Sequence, residues 1–287
     1  MAKVVALSGA QHKGLKVTPN CVVDAVKDQH IINIRVSEIS KASACMPIFL
    51  NKFEGSSDWS VSTITSLELH KNLFVVEDKW SVNYVPNSMK AYPFFLVNGQ
   101  KEGEFTIGID EESNAFSKTD GADIFDSEGK STPAMEAVIK LLEGDIGGRV
   151  HTKKFTDVLE EFDLIDPLTM RVQYEDGQVQ TLTGLNSIDE RKLQEMDDET
   201  FIKLRKTGFL APIYALILSV FQLNELMKRH NQQAGVKQIV QVSMNPPEAK
   251  AEEKSVEKKT VAKKPKATAK KKVATKKKVA AKPEVKK

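Results

Sequence analysis

The stretch MRVQYEDGQVQTL, residues 170–182, decides the fold class. Met170, Val172 and Tyr174 alternate with Arg171 and Gln173, and the alternation resumes beyond Asp176-Gly177. A period of two belongs to a strand with one buried face. Asp-Gly suits a two-residue type I′ turn, a register that sets Tyr174 opposite Val179 and Val172 opposite Thr181. Met170, Val172 and Tyr174 then share the buried side, and a one-residue slip would bury Arg171 and Gln173 instead. An antiparallel hairpin is therefore expected here.

Helical signals surround it. Downstream, Asp189 to Met196 and Asp198 to Lys206 read as short helices with acidic starts that suit the helix dipole. Gly208 separates them from FLAPIYALILSVFQL, residues 209–223, in a helix that ends near His230. A bilayer needs about 20 consecutive apolar residues, and Pro212, Ser219 and Gln222 interrupt this shorter run, so a buried core helix with no membrane crossing is expected. Pro246-Pro247 marks the end of the body. Upstream, Thr132 caps a helix with Pro133 in its first position, and Met135, Val138, Ile139 and Leu142 form one face. Gly144, Gly147 and Gly148 are expected to break or bend it. A second helix carrying Phe155, Val158, Leu159 and Phe162 should pack against the first as a pair, stopped by Asp166-Pro167.

Residues 4–110 carry strand signals: short β-branched runs at 21–26 and 31–36, separated by polar turns. Residues 73–76 and 80–85 read as a hairpin closed by Glu77-Asp78-Lys79, with Pro86 ending the second arm. Residues 94–97 and 105–109 suggest two more strands, and the polar stretch 111–130 reads as loop. The expected fold class is α+β: an N-terminal strand-rich half with antiparallel hairpins and a C-terminal half mostly helical with one inserted β-hairpin. A single domain over 1–245 is expected, followed by a disordered Lys-rich tail over 246–287.

Charge supports that division. The net charge of +3 averages 42 basic and 39 acidic residues. Residues 250–287 hold 16 Lys and 4 Glu, whereas the rest holds 26 basic and 35 acidic residues. The tail has no aromatic residue and cannot bury enough surface to offset its ordering entropy. Its repeated KKKVA unit, at 270–274 and 276–280, reads as a flexible polycation. Lys263, Lys264, Lys266, Lys270, Lys271, Lys272, Lys276, Lys277 and Lys278 are the candidate polyanion-binding residues, toward nucleic acid or an anionic membrane surface. Two cysteines, Cys21 and Cys45, build no disulfide framework and point to a reducing, cytoplasmic setting. The apolar run Val4 to Leu7 is too short for a signal-peptide core, so the start reads as mature protein.

Catalytic patterns are sparse. His12, His30, His70, His151 and His230 are scattered without metal-ligand spacing, and neither a phosphate loop nor a nucleophile elbow occurs. No catalytic residue, cofactor or metal is expected. Carboxylates cluster at Asp110, Glu111 and Glu112 and again at Asp120, Asp123, Asp126 and Glu128. They read as a solvated acidic loop, with an acidic-loop site on an enzyme or enzyme partner as the alternative that Asp110, Glu111, Asp123 and Asp126 would serve. Trp59, Trp80, Tyr84, Tyr92, Phe94 and Phe95 supply aromatic area, most of it core, with an exposed subset able to line a peptide-binding groove.

The order of landmarks resembles the SapC family. The matching pieces are LFVVEDKW at 73–80, Tyr84-Val85-Pro86, Tyr92-Pro93-Phe94, Ile109-Asp110-Glu111 and IFDSEGKSTPA at 124–134. DLIDPL at 163–168, the Asp176-Gly177 turn, IDERKL at 188–193 and IYALILS at 213–219 continue it. The resemblance spans about residues 10–230 and leaves out the tail. It implies a non-enzymatic accessory protein of bacterial surface-layer or envelope protein export, with a polypeptide partner that is an export substrate or part of the envelope machinery. It carries over no catalytic or cofactor residue.

Overall fold

The 170–182 stretch forms a hairpin arm within a six-stranded antiparallel sheet that draws on both halves of the chain. The structure, a computed structural model, describes residues 4–53, 55–98 and 104–245. The described residues pack as one unit; residues 246–287, with the candidate lysines of the tail, lie outside them.

In chain order the first elements are β1 (Val4–Ala6), β2 (Lys16–Val17), α1 (Cys21–Val26), β3 (Ile31–Ile34), α2 (Ile39–Ala42), β4 (Ile48–Asn51) and β5 (Ser60–Ile64). Then come β6 (Val75–Val76), β7 (Lys79–Trp80), α3 (Asn87–Ala91), β8 (Phe95–Asn98), β9 (Phe105–Asp110), β10 (Phe116–Ser117), β11 (Ala122–Asp123) and α4 (Pro133–Glu161). The remainder is β12 (Ile165–Tyr174), β13 (Val179–Ile188), α5 (Glu190–Gln194), α6 (Asp198–Lys206), α7 (Leu210–Ser219), α8 (Leu223–Asn231) and β14 (Ile239–Asn245). The main sheet runs β14-β12-β13-β4-β5-β3, and a smaller one runs β1-β9-β8.

Several expectations are corrected. Residues 21–26 are helical despite their valines; Asn20 precedes them in left-handed backbone, and Cys21 and Val26, at the two ends of the helix, are buried. The 73–85 hairpin shrinks to two residues an arm, because Glu77 and Asp78 both take positive φ and close it tightly. Pro86 caps α3. Short strands β10 and β11 pair with β2 inside the stretch expected as loop. In the decisive hairpin Gln173 faces Val179 and Val172 faces Gln180. The loop has three residues: Gly177 N–H donates to Tyr174 O, and Gly177 lies at φ 83. That is a type I turn with a bulge, one step from the type I′ register. The buried face is nonetheless Met170, Val172 and Tyr174, because alternation along one strand does not depend on its partner.

The expected helical pair is one continuous helix. Thr132 Oγ1 accepts from the Met135 N–H and Pro133 opens the first turn, as read from the sequence. The helix then passes through Gly144, Gly147 and Gly148 for 29 residues, about 43 Å at 1.5 Å per residue. Each interior glycine costs roughly 1 kcal/mol against alanine, which packing at the two ends outweighs. Met135 and Leu142 enter a core with Phe94, Ile109 and Ile124. Phe155 and Leu159 enter the main core with Phe49, Met170 and Leu216. The helix ends at Phe162 as Asp163 turns to positive φ, so Asp166-Pro167 stops nothing and lies within β12. Pro167 precedes the residues of β12 that pair with β14, where a missing N–H deprives no second neighbour.

Helix α6 spans Asp198–Lys206 as expected, whereas α5 is shorter than 189–196; Asp189 and Asp197 stand just outside them as caps, accepting from the N–H groups of Lys192 and Thr200. Helix α7 presses Ile213, Leu216 and Ser219 inward. Ser219 Oγ accepts from Ile48 N–H at 3.0 Å and donates to Leu216 O at 2.6 Å, which fixes the helix to β4.

Candidate functional site

Where β3 ends, the chain turns through a short 3-10 helix at Val36–Glu38 whose start is held from inside. Glu38 reaches back so that its Oε2 accepts from Arg35 N–H at 2.8 Å. Its Oε1 accepts from the Tyr84 hydroxyl at 2.6 Å and the Asn87 N–H at 2.8 Å. Glu38 is 3% exposed, so this carboxylate is satisfied by three neutral donors that tie β3, the approach to α3 and α3 itself together. Burial and the Glu38 bond together push the Tyr84 hydroxyl well above the usual phenol range.

The Arg35 side chain leaves on the other side. Its Nε and Nη2 donate to Asp145 Oδ1 at 2.6 Å and Oδ2 at 2.9 Å, a bidentate pair, and Arg149 Nε donates to Oδ2 at 2.9 Å. Burial raises the Asp145 carboxyl, but the hydrogen bonds and charges of Arg35 and Arg149 more than offset it and hold the group below its ordinary value. Gly148 makes room: a Cβ there would sit 3.3 Å from Arg35 Cγ. Thr152 Oγ1 accepts from Val36 N–H, a second tie between α4 and the β3 end.

These contacts frame a cleft of about 420 Å³ between α1, β3, α3, β8 and α4. Tyr92, Phe94 and Phe95 form its aromatic wall, Leu141 and Leu142 of α4 face it, and Gln29, Asn33, Asn87 and Ser88 bring amide and hydroxyl groups to it. An apolar cavity with a few convergent polar groups is the usual form of a binding site. The volume is enough for one large apolar side chain.

Of the aromatics singled out from sequence, the structure brings Tyr92, Phe94 and Phe95 to this cleft. Tyr84 stands behind it through Glu38. Trp80 packs on the main core and donates to Tyr84 O, and Trp59 donates to Glu160 at 2.6 Å with Lys52 over its ring. Sequence reading missed Arg35, Glu38 and Asp145. The last lies 110 positions from the arginine it meets, but Glu38 carried a signal: an acid three residues beyond a helix cap reaches back to the cap N–H.

The acidic-loop residues are engaged separately. Asp123 pairs with Lys16 at 2.7 Å, Glu111 meets His12 Nε2 at 3.2 Å, and Asp110 and Asp126 accept from backbone N–H groups of their own turns. Among the described residues no three His, Cys, Asp or Glu side chains gather at metal-binding distance. His30 and His70, far apart in sequence, come within 6.4 Å, and burial together with His70 lowers the pKa of His30.

Comparison with curated proteins and with solved structures finds no match. The sequence pattern of the SapC family matches residues 7–226, from the turn after β1 through α7 and the cleft to the first residues of α8. With that match covering most of its length, the chain belongs to the SapC family.

Proposed function

We propose that this SapC family member is a non-enzymatic accessory protein of bacterial surface-layer or envelope protein export, acting on the cytoplasmic side and holding a polypeptide partner in the cleft. The observation that supports it is the cleft's composition: an aromatic wall of Tyr92, Phe94 and Phe95 beside the amides of Gln29, Asn33 and Asn87. Large aromatic surfaces next to satisfiable polar groups are the usual anchors of polypeptide recognition. Engagement of the acidic-loop carboxylates in turns and ion pairs supports placing the site here rather than there.

Site-specific photocrosslinking in native cells tests this. A crosslinking residue at position 95 should capture a secreted or envelope polypeptide, and one at Val150, exposed on α4, should not. Equal labelling from both positions, or capture of no exported protein from position 95, overturns the proposal.

A further inference from the structure

The outward face of α7 carries an apolar line that the core does not use. The helical run Leu210–Asn231 has a mean hydropathy of 1.5 over its most apolar window, yet only 28% of that window is buried. Ile213, Leu216, Leu223 and Leu226 face the core. Tyr214, Leu218 and Phe221 are 45%, 61% and 70% exposed. At spacings of four and three they lie side by side on one helical line. The same line continues through Glu225, held by Arg229 at 2.8 Å, to exposed Lys228.

We propose that this face docks on an anionic lipid surface, with the helix lying in the interface and not crossing it. Crossing is ruled out by the opposite side of the helix, where Ser219 bonds β4 and Leu216 is fully buried. Leu and Phe with a Tyr hydroxyl among them, ended by a lysine, is the composition of an interfacial helix. Leu218 and Phe221, the two most exposed of the three, are the side chains the lipid layer would enclose.

Charge on this segment is close to balanced, so it does not oppose an anionic surface. Residues 197–231 hold five Lys and Arg against four Asp and Glu, whereas residues 104–130 hold two against eight. Much of the body's acidity therefore lies in a different segment of the chain. An apolar line of three side chains gives weak attachment alone, and stable attachment takes a second signal such as a polybasic segment. Residues 250–287, with 16 Lys and 4 Glu, supply it. This proposal is independent of the cleft: it uses other residues, and its failure leaves the polypeptide reading untouched.

The test is sedimentation of the full-length chain with vesicles of phosphatidylcholine, with and without phosphatidylglycerol. The wild type should sediment with the anionic vesicles and less with the neutral ones. Leu218→Glu/Phe221→Glu should bind at least about tenfold more weakly, from the loss of two buried apolar side chains. Its circular dichroism should be unchanged, because both residues are exposed. Phe221→Trp should bind like wild type, with added emission that shifts to the blue on vesicles. Full-length chain with Lys270, Lys271, Lys272, Lys276, Lys277 and Lys278 changed to Gln should bind less and show a shallower salt dependence. Three results overturn the proposal: no binding to anionic vesicles, equal binding by the double-Glu variant, or a wild-type dimer that this variant converts to monomer, which would assign the face to a second copy.

Discussion

Replacing Glu38 with alanine removes the acceptor for three groups at once: the Arg35 and Asn87 N–H groups and the Tyr84 hydroxyl. The hydroxyl can rotate toward another partner, but the two backbone donors cannot. A buried donor left without an acceptor costs about 1–3 kcal/mol, so Glu38→Ala should lose roughly 2–6 kcal/mol of stability. Glu38→Gln keeps one oxygen for Tyr84 and Asn87 and turns its NH₂ toward the Arg35 N–H, so it should lose about 1–3 kcal/mol. Urea unfolding measures both: with a slope of roughly 3 kcal/mol/M, the alanine midpoint should fall by about 0.7–2 M. Phenol ionisation gives a second reading, since removal of Glu38 leaves burial as the main cause raising the Tyr84 pKa and should bring the group down. Glu38→Ala unfolding at the same urea concentration as wild type, or above Glu38→Gln, would refute the reasoning.

Two further outcomes follow from the cleft's surroundings. A Cβ at Gly144 or Gly147 meets nothing within 4 Å, so alanine at either should stabilise the chain by about 0.5–1 kcal/mol. Gly148→Ala should gain less because of Arg35, and thermal or urea unfolding reading the first two as destabilising would mean the helix breaks there. Asp145 has a folded pKa below its unfolded value, so its contribution is complete above about pH 4 and is lost as pH falls through the lowered value. Asp145→Asn should therefore be less stable at neutral pH and decline less steeply in acid, as measured by urea midpoints across pH 2 to 7.

What could be read from the sequence was local. Thr132-Pro133 announced a helix start because a cap is satisfied by its own next turn, and the acidic residues at Asp189 and Asp198 marked two more through the helix dipole. The buried side of β12 was legible because alternation needs no knowledge of the partner strand. Its register was not, since Asp-Gly serves the three-residue loop as well as the two-residue one. The glycines of α4 misled for a different reason: whether a helix survives them depends on what both ends pack against, and those partners come from β8, β9 and the main sheet. β14 went unread because its seven residues find their place only beside β12. The cleft was half legible, through Tyr92, Phe94 and Phe95, while the Arg35–Asp145 pair exists only once the fold brings two distant segments together.

The seam between β13 and β4 meets at Asn186 and Leu50, 136 positions apart. A ribosome adding about 5–20 residues per second needs on the order of ten seconds to supply the second side after the first. For that interval Phe49 and Leu50, both fully buried in the finished protein, have neither β13 nor α7 to cover them. Such long-range pairing folds slowly. The nascent chain is therefore most open to aggregation, and most accessible to chaperones, between the synthesis of β5 and that of α7.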